Sequence, residues 1–149
     1  MKACVVPSRF LGQKFLDCGL DPAKLTIIPY GIDLEKVDRA KEVDGMKEDA
    51  VIRILHAGRL VPKKGILDLI RAFGQIMTTK HIELVIVGDG TQRKEAEELS
   101  LAMGLTDRVR FLGVQPHEVV LSYMKLCEIY VLNSRTDENQ ETEGFPNTI

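Results

Sequence analysis

The chain has 149 residues, 44% of them hydrophobic, which is enough for one globular domain with its own core. Lys and Arg number 20 against 22 Asp and Glu, and the net charge of −2 argues against nucleic-acid binding through an overall positive field. The longest apolar runs are far shorter than the roughly 20 residues that a bilayer span needs. Three cysteines in no metal-ligand spacing indicate a reducing, cytoplasmic compartment.

The first 50 residues give few structural signals. Residues 9–18 predict a short helix, with Ser8 as its N-cap and Gly19 at its end. Residues 24–29 predict a short strand. The stretch 34–50 is polar, charged and without a clear apolar period, and we interpret it as a surface linker.

From Val51 onward, compact apolar runs alternate with segments of helical periodicity. The runs are rich in β-branched residues, as fully buried strands are. The predicted strands are 51–57, 83–87, 108–112 and 128–132, and the helices between them lie within 66–77, 96–103 and 119–124. This alternation predicts an α/β fold, a Rossmann-like parallel sheet flanked by helices.

Ligands of such sheets bind at the carboxyl ends of the strands, so the loops that leave those ends should hold any functional site. The first of these loops runs from Gly58 to Gly65 and carries Arg59 and Lys64 beside the start of a helix. Cations oppose the dipole at that end of a helix, so helix stability does not explain them, whereas a bound diphosphate would. A solvated basic turn is the alternative interpretation.

Two other loops contain glycines that could approach a ligand. Gly88 and Gly90 resemble the start of a dinucleotide-binding fingerprint, but Arg93 stands where its third glycine should be. These glycines could equally serve only a tight turn from strand to helix. In the last loop, Glu143 could accept hydrogen bonds from a polyol, beside backbone N–H groups of residues 144–146 at a predicted helix start.

The order and spacing of these segments are specific in combination, although each alone is modest. They are Val5-Val6-Pro7-Ser8, residues 27–33, Gly58-Arg59-Leu60 with Lys64-Gly65, Val87-Gly88-Asp89-Gly90, Phe111-Leu112-Gly113 and Glu143-Gly144-Phe145-Pro146. With them the chain resembles the C-terminal, donor-binding domain of retaining GT-B glycosyltransferases. That large family includes mannosyltransferases, sucrose synthases and bacterial capsule or colanic-acid enzymes.

The resemblance implies a nucleotide-diphospho-sugar as substrate and a hexose transferred to a polysaccharide, lipid or other acceptor. Arg59 and Lys64 would bind the diphosphate and stabilise its charge as the glycosidic bond breaks, so no metal is implied. Glu143 would contact the transferred sugar, and Gly113 and Val114 the base. The implied donor-binding set is Gly58, Arg59, Lys64, Gly88, Gly90, Gly113, Val114, Gly144, Phe145 and Pro146, with Glu143, Arg59 and Lys64 as the catalytic residues.

The resemblance also implies a division of the chain and a larger protein. Residues 1–33 would be the connector from an N-terminal acceptor domain, 34–50 a linker, and 51–149 a Rossmann-like domain truncated before the family's second Glu. We therefore expect the chain alone to be inactive and to self-associate. The full-length protein would be cytoplasmic, and any contact with the inner face of the membrane would belong to it.

Two alternatives stay open at this point. The chain could be a non-catalytic remnant or interaction domain of the same fold, or part of a GT-B sugar epimerase. A Rossmann oxidoreductase is disfavoured, because the glycine fingerprint is incomplete and does not follow the first strand of the regular unit.

Overall fold

The protein is represented by a computed structural model that describes residues 2–31, 33–40, 51–76 and 81–136. Two short 3-10 helices, Pro22–Lys24 and Pro62–Lys64, accompany the regular elements. The regular elements in chain order are β1 (Cys4–Val6), α1 (Arg9–Asp17), β2 (Leu25–Ile27), α2 (Leu34–Arg39), β3 (Val51–Ala57), α3 (Ile66–Gly74), β4 (His81–Val87), α4 (Arg93–Ala102), β5 (Val109–Gly113), α5 (His117–Leu126) and β6 (Ile129–Tyr130).

Among the described residues, the main sheet has four parallel strands in the order β5-β4-β3-β6. The chain moves outward from β3 through β4 to β5, and then returns to pair β6 with the other side of β3. Neighbouring crossovers therefore run in opposite directions from β3, and a crevice opens at the carboxyl ends of β3 and β6. The sequence-based prediction of a Rossmann-like parallel sheet is confirmed.

Two apolar layers cover the sheet, because successive side chains of a strand point to opposite faces. On one face Ile54 and Ile86 pack with Phe73 of α3, and α4 covers the same layer. On the other face Leu55 packs with Tyr123 of α5. Strands buried on both faces must be apolar at nearly every position, which is why 51–57 and 83–87 are legible in the sequence.

A separate two-stranded sheet precedes the main sheet. Strands β1 and β2 pair in parallel, with Cys4 opposite Leu25, and α1 connects them. Ser8 caps this helix as predicted, because its Oγ accepts a hydrogen bond from the backbone N–H of Leu11 at 3.2 Å. The sequence analysis did not predict β1, which has three residues and little room for a pattern.

The interpretation of 34–50 as a surface linker is wrong for its beginning, where α2 lies. Asp33 caps this helix by accepting a hydrogen bond from the backbone N–H of Lys36 at 3.2 Å. At the other end the Lys125 ammonium on α5 donates to the carbonyl oxygens of Asp38 and Ala40, each at 3.1 Å. The caps and this tertiary contact stabilise a helix that shows no apolar period.

Smaller differences concern element boundaries. The fourth strand was predicted over 128–132, but β6 contains only Ile129 and Tyr130. The second predicted helix segment begins earlier than its apolar residues, at Arg93. Ile129 is 46% exposed, and its strand pairs only with β3 among the described strands. No helix in the described ranges is long and apolar enough to cross a membrane.

The amino ends of the strands hold charges that neutralise one another. Glu83 lies between two guanidinium groups, 3.4 Å from Arg53 Nε and 3.1 Å from Arg110 Nη1. A carboxylate oxygen of Glu128 accepts a hydrogen bond from the backbone N–H of Arg53 at 2.6 Å. Burial, aided by Glu128, raises the pKa of the Cys127 thiol to about 11, so this thiol is protonated and unreactive at neutral pH.

Candidate functional site

The loop after β3 lies at the carboxyl edge of the sheet and is hydrogen-bonded to the loop after β4. Gly58 continues the sheet by donating to the carbonyl of Val87 at 2.9 Å, and Leu60 donates to that of Asp89 at 2.9 Å. The 3-10 helix Pro62–Lys64 follows, and Gly65, at φ +69°, turns the chain into α3. The predicted position of Lys64 beside a helix start is confirmed.

The backbone of the loop after β4 packs closely against the backbone of the loop after β3. A Cβ atom on Gly88, whose φ is +130°, would overlap the carbonyl oxygen of Gly58. A Cβ on Gly90 would overlap the carbonyl oxygen of Leu60. The close approach of the two loops is sufficient to require glycine at both positions, and a contact of either glycine with a ligand stays a prediction.

A cavity of about 350 Å³ opens where β3, β4 and β5 end. Arg59, an exposed side chain, is on its wall together with Gly58 and Gly88. Val114 also lines the cavity and is 76% exposed, so the lining combines a cation with an apolar surface. The complete lining is Ala57, Gly58, Arg59, Val87, Gly88, Val114, Gln115, His117 and Val120.

Lys64 lies behind the cavity and is only 7% exposed. Its Cε atom is 3.9 Å from the point that a Cβ on Gly58 would occupy, and His56 Nε2 is also 3.9 Å from that point. Gly58 is thus the thin partition between the cavity and two buried nitrogen-bearing side chains. Any side chain at this position would fill the space that separates them.

His56, the penultimate residue of β3, is fully buried at 0% exposure. Its Nδ1 atom is 3.2 Å from the carbonyl oxygen of Val131, which requires a proton on Nδ1 because a carbonyl can only accept. Burial lowers the pKa of the imidazole below 6.5, the Val131 contact opposes this, and the charge of Lys64 lowers it further. At neutral pH the ring is uncharged, with an unprotonated Nε2.

The segment after β6 fastens the first loop in place. Asn133 Nδ2 donates to the carbonyl oxygen of Gly65 at 2.7 Å. Arg135 donates from its backbone N–H to Lys63 at 2.8 Å and from Nε to Pro62 at 3.2 Å. Its Nη1 also pairs with Asp68 Oδ2 at 2.8 Å. We call these contacts of Asn133 and Arg135 the clasp; it joins the segment after β6 to the loop after β3 and to the first turn of α3.

The third loop completes the cavity through its backbone. The carbonyl of Gly113 accepts from Gly88 N at 2.8 Å, and at φ +67° this residue places its Cα beside Arg93. Arg93 forms ion pairs with Glu97 and Asp89, and its hydrogen bond to Glu97, foremost, raises the pKa of its guanidinium. The arginine in the place of the third fingerprint glycine therefore holds the second loop.

The predicted residues of the first three loops surround one carboxyl edge of the sheet: Gly58, Arg59, Lys64, Gly88, Gly90, Gly113 and Val114. Glu143, Gly144, Phe145 and Pro146 lie outside the described residues. Sequence reasoning missed His56, Asn133 and Arg135. For His56 the available signal was a histidine inside the apolar run 51–57. For Asn133 it was a polar residue directly after the predicted strand 128–132.

Comparisons with known proteins show which family the chain belongs to. A family model described as "Glycosyl transferases group 1" matches residues 38–149. Lipopolysaccharide 1,2-N-acetylglucosaminetransferase of Salmonella typhimurium is 29% identical over 147 residues, which cover 90% of this chain and 38% of that protein. Alpha-D-kanosaminyltransferase of Streptomyces kanamyceticus is 37% identical over 86 residues, 57% of this chain and 22% of that protein.

The fold is also found among solved structures. The Anabaena protein HepE in complex with UDP superimposes with a TM-score of 0.75 at 22% identity, over 91% of this chain and 39% of that one. The chain thus spans less than two fifths of the length of these full-length relatives. It belongs to the glycosyl transferases group 1 family and has the Rossmann-like fold found in GT-B glycosyltransferases.

Proposed function

We propose that this chain carries the nucleotide-sugar site of a retaining glycosyltransferase. The observation that supports this most directly is the cavity at the carboxyl ends of β3, β4 and β5, with Arg59 on its wall and Lys64 buried behind Gly58. The buried ammonium of Lys64 and the guanidinium of Arg59 on the cavity wall would both favour an anionic ligand. The HepE complex contains UDP on a fold of this kind, which supports a nucleoside diphosphate as that anion.

In the proposed reaction the two cations act on the leaving group. The bond between the sugar and the diphosphate breaks, and negative charge accumulates on the departing phosphate oxygen. Arg59 would bind phosphate oxygens with its planar fork, and Lys64 would supply a point charge from behind the loop. These fixed charges would replace a divalent metal, so we expect binding to be independent of added Mg²⁺.

The remaining roles follow the family resemblance. Val114, beside the backbone of Gly113, would contact the base with its exposed apolar side chain. Glu143 would bind the transferred sugar, with the backbone of residues 144–146 beside it. The acceptor would be a polysaccharide or lipid held by another part of a longer protein. The Salmonella relative, a lipopolysaccharide 1,2-N-acetylglucosaminetransferase, supports an acceptor of this class.

The test is a calorimetric titration of the chain with UDP and with GDP, with and without EDTA. Arg59→Ala and Lys64→Met should each weaken binding about ten-fold or more, since a hydrogen bond to a charged group contributes about 1.5–3 kcal/mol. Lys94→Ala is the matched control, because Lys94 is an exposed cation on α4 that pairs with Glu98. Equal affinity in all variants would refute the site, and no binding of any nucleotide would favour a non-catalytic domain.

A further inference from the structure

Strand β5 contains one extra residue near its carboxyl end. Phe111 lies opposite Ile86 of β4, but the next position of β4, Val87, lies opposite Gly113. Leu112 therefore has no partner of its own in the described register of the two strands. An extra residue of this kind is a β-bulge, which interrupts the ladder of main-chain hydrogen bonds and redirects the chain that follows it.

A side chain of the following loop holds this bulge. Gln115 Nε2 donates to the carbonyl oxygen of Leu112 at 2.7 Å, in a partly buried position. The amide thereby closes the turn that runs from Leu112 to Gln115. Because an unpaired main-chain carbonyl destabilises a fold wherever water is excluded from it, this bond stabilises the bulge.

The bulge decides which residue reaches the cavity. Because Gly113 rather than Leu112 stands opposite Val87, the register carries Val114 to the level of Gly88. Both Gly88 and Val114 line the cavity. A regular strand would bring a glycine to that level instead, and the cavity would lack the apolar side chain that the bulge supplies.

Two other attachments flank the same turn. The backbone N–H of Gly88 donates to the carbonyl of Gly113 at 2.8 Å, and α5 begins at His117. The segment 113–116 is thus fastened at both ends, and the Gln115 amide adds an attachment between them. A loop restrained in this way has less conformational freedom to lose when a ligand binds.

We propose that Gln115 is a positioning residue for the loop after β5: its amide holds the bulge at Leu112 and thereby keeps Val114 on the cavity wall, where Val114 contacts the nucleobase. The proposal rests on the proposed function for the identity of that ligand. Gln115 acts on the base through the backbone of the loop and through Val114.

A double-substitution cycle with UDP separates positioning from direct contact, because Gln115 itself also lines the cavity. Gln115→Met keeps the length of the side chain and removes the amide donor. Positioning predicts a loss of UDP affinity of about five-fold in the wild-type background and of less than about two-fold in the Val114→Ala background, where the positioned contact is already reduced. Equal losses in both backgrounds would assign a direct contact to Gln115 and overturn the proposal.

Gln13→Met is the matched control for this titration. Gln13 lies on α1, which packs on β1 and β2, and its amide also donates a hydrogen bond, to Asp17 Oδ1 at 2.9 Å. Its UDP affinity should equal that of wild type, and a loss equal to that of Gln115→Met would overturn the proposal. If wild type binds no UDP, the proposed function fails and the role of Gln115 fails with it. If wild type and Gln115→Met bind UDP equally, only the positioning role fails.

Amide hydrogen exchange tests the bulge without any ligand. In Gln115→Met the amide of Gly88, which donates to Gly113, should exchange about ten-fold faster, because the turn beside its acceptor has lost a restraint. The amide of Leu69, which donates to Gly65 in α3, should keep its rate. A Gly88 rate equal to that of wild type would overturn the proposal whatever the nucleotide affinity.

Discussion

The loops after β3 and β4 leave the same edge of the sheet, and both begin with a glycine, yet they are built for different purposes. The first, from Gly58 to Gly65, contains Arg59 on a cavity wall and Lys64 buried behind it. The second, with Gly88 and Gly90, brings its backbone against the backbone of the first. One loop presents side-chain charge, and the other supplies close main-chain support.

The difference shows what a glycine after a strand can mean. At Gly58 the absent side chain leaves room between the cavity and Lys64, with neighbours 3.9 Å away. At Gly88 the absent side chain avoids an overlap with a carbonyl oxygen. Substitution of the first glycine should therefore affect ligand binding, whereas substitution of the second should affect folding.

The largest expected effect is that of Gly88→Ala. The methyl group would overlap the carbonyl of Gly58, and alanine is disfavoured at a φ of +130°. Backbone strain and overpacking, at about 1–3 kcal/mol each, should together lower the free energy of unfolding by about 2–6 kcal/mol. Urea denaturation followed by circular dichroism measures this loss.

Gly104→Ala is the matched control for this loss. Gly104 also has a positive φ, +67°, but a Cβ there would meet nothing within 4 Å. Its substitution should cost only the conformational strain, about 1–2 kcal/mol. If the two variants were equally stable, the close approach of the loops would not be what requires glycine at Gly88.

The next effect is a dependence of stability on pH that arises beneath the first loop. Because burial lowers the pKa of folded His56 below 6.5, the unfolded chain binds its proton first as the pH falls. The contribution of His56 to the free energy of unfolding is fully present above about pH 6.5. Below that pH, down to the pKa of the folded state, it is lost at up to about 1.4 kcal/mol per pH unit. Urea midpoints between pH 7.5 and 5 should show this slope, and His56→Gln should lack it.

His81→Gln provides the comparison for the pH experiment. His81 is exposed at the start of β4, far along the strand from the site edge. Its substitution should leave the wild-type slope intact. A slope that persists in His56→Gln would assign the acid sensitivity to other groups.

The smallest effect concerns the clasp. Arg135→Ala removes the contact with Pro62 and the ion pair with Asp68, both exposed, and should lower the stability by less than about 1 kcal/mol. Because the first loop then loses a restraint, we expect UDP affinity to fall a few-fold. Arg71→Ala is the control, since Arg71 pairs with the same carboxylate but forms no hydrogen bond or ion pair with the described residues 58–65. Equal affinities in the two variants would show that the clasp does not position the loop.

The sequence predicts the main sheet well, because a parallel strand buried on both faces must be apolar throughout. It predicts the start of α1 through Ser8, a cap with a local mechanism. It misses α2, whose last carbonyls are bonded by Lys125 from a helix almost 90 residues later in the chain. A contact of that kind leaves no trace in the local pattern.

The candidate site divides in the same way. Arg59 and Lys64 can be identified from the sequence, because cations at a helix start are unusual and the carboxyl edge of the sheet is known once the strands are. His56 and Asn133 cannot be identified in this way. His56 resembles any single histidine in a strand, and only the register of β3 with β6 brings Asn133 next to the first loop.

The clasp has a practical consequence for protein engineering. Because Asn133 and Arg135, far along the chain, hold the first loop in place, residues 58–65 cannot be transplanted on their own. A chimera that exchanges this loop between relatives, in order to change the nucleotide that is accepted, should exchange residues 133–136 with it. A crossover placed between the two segments would combine a loop from one parent with a fastening evolved for the other.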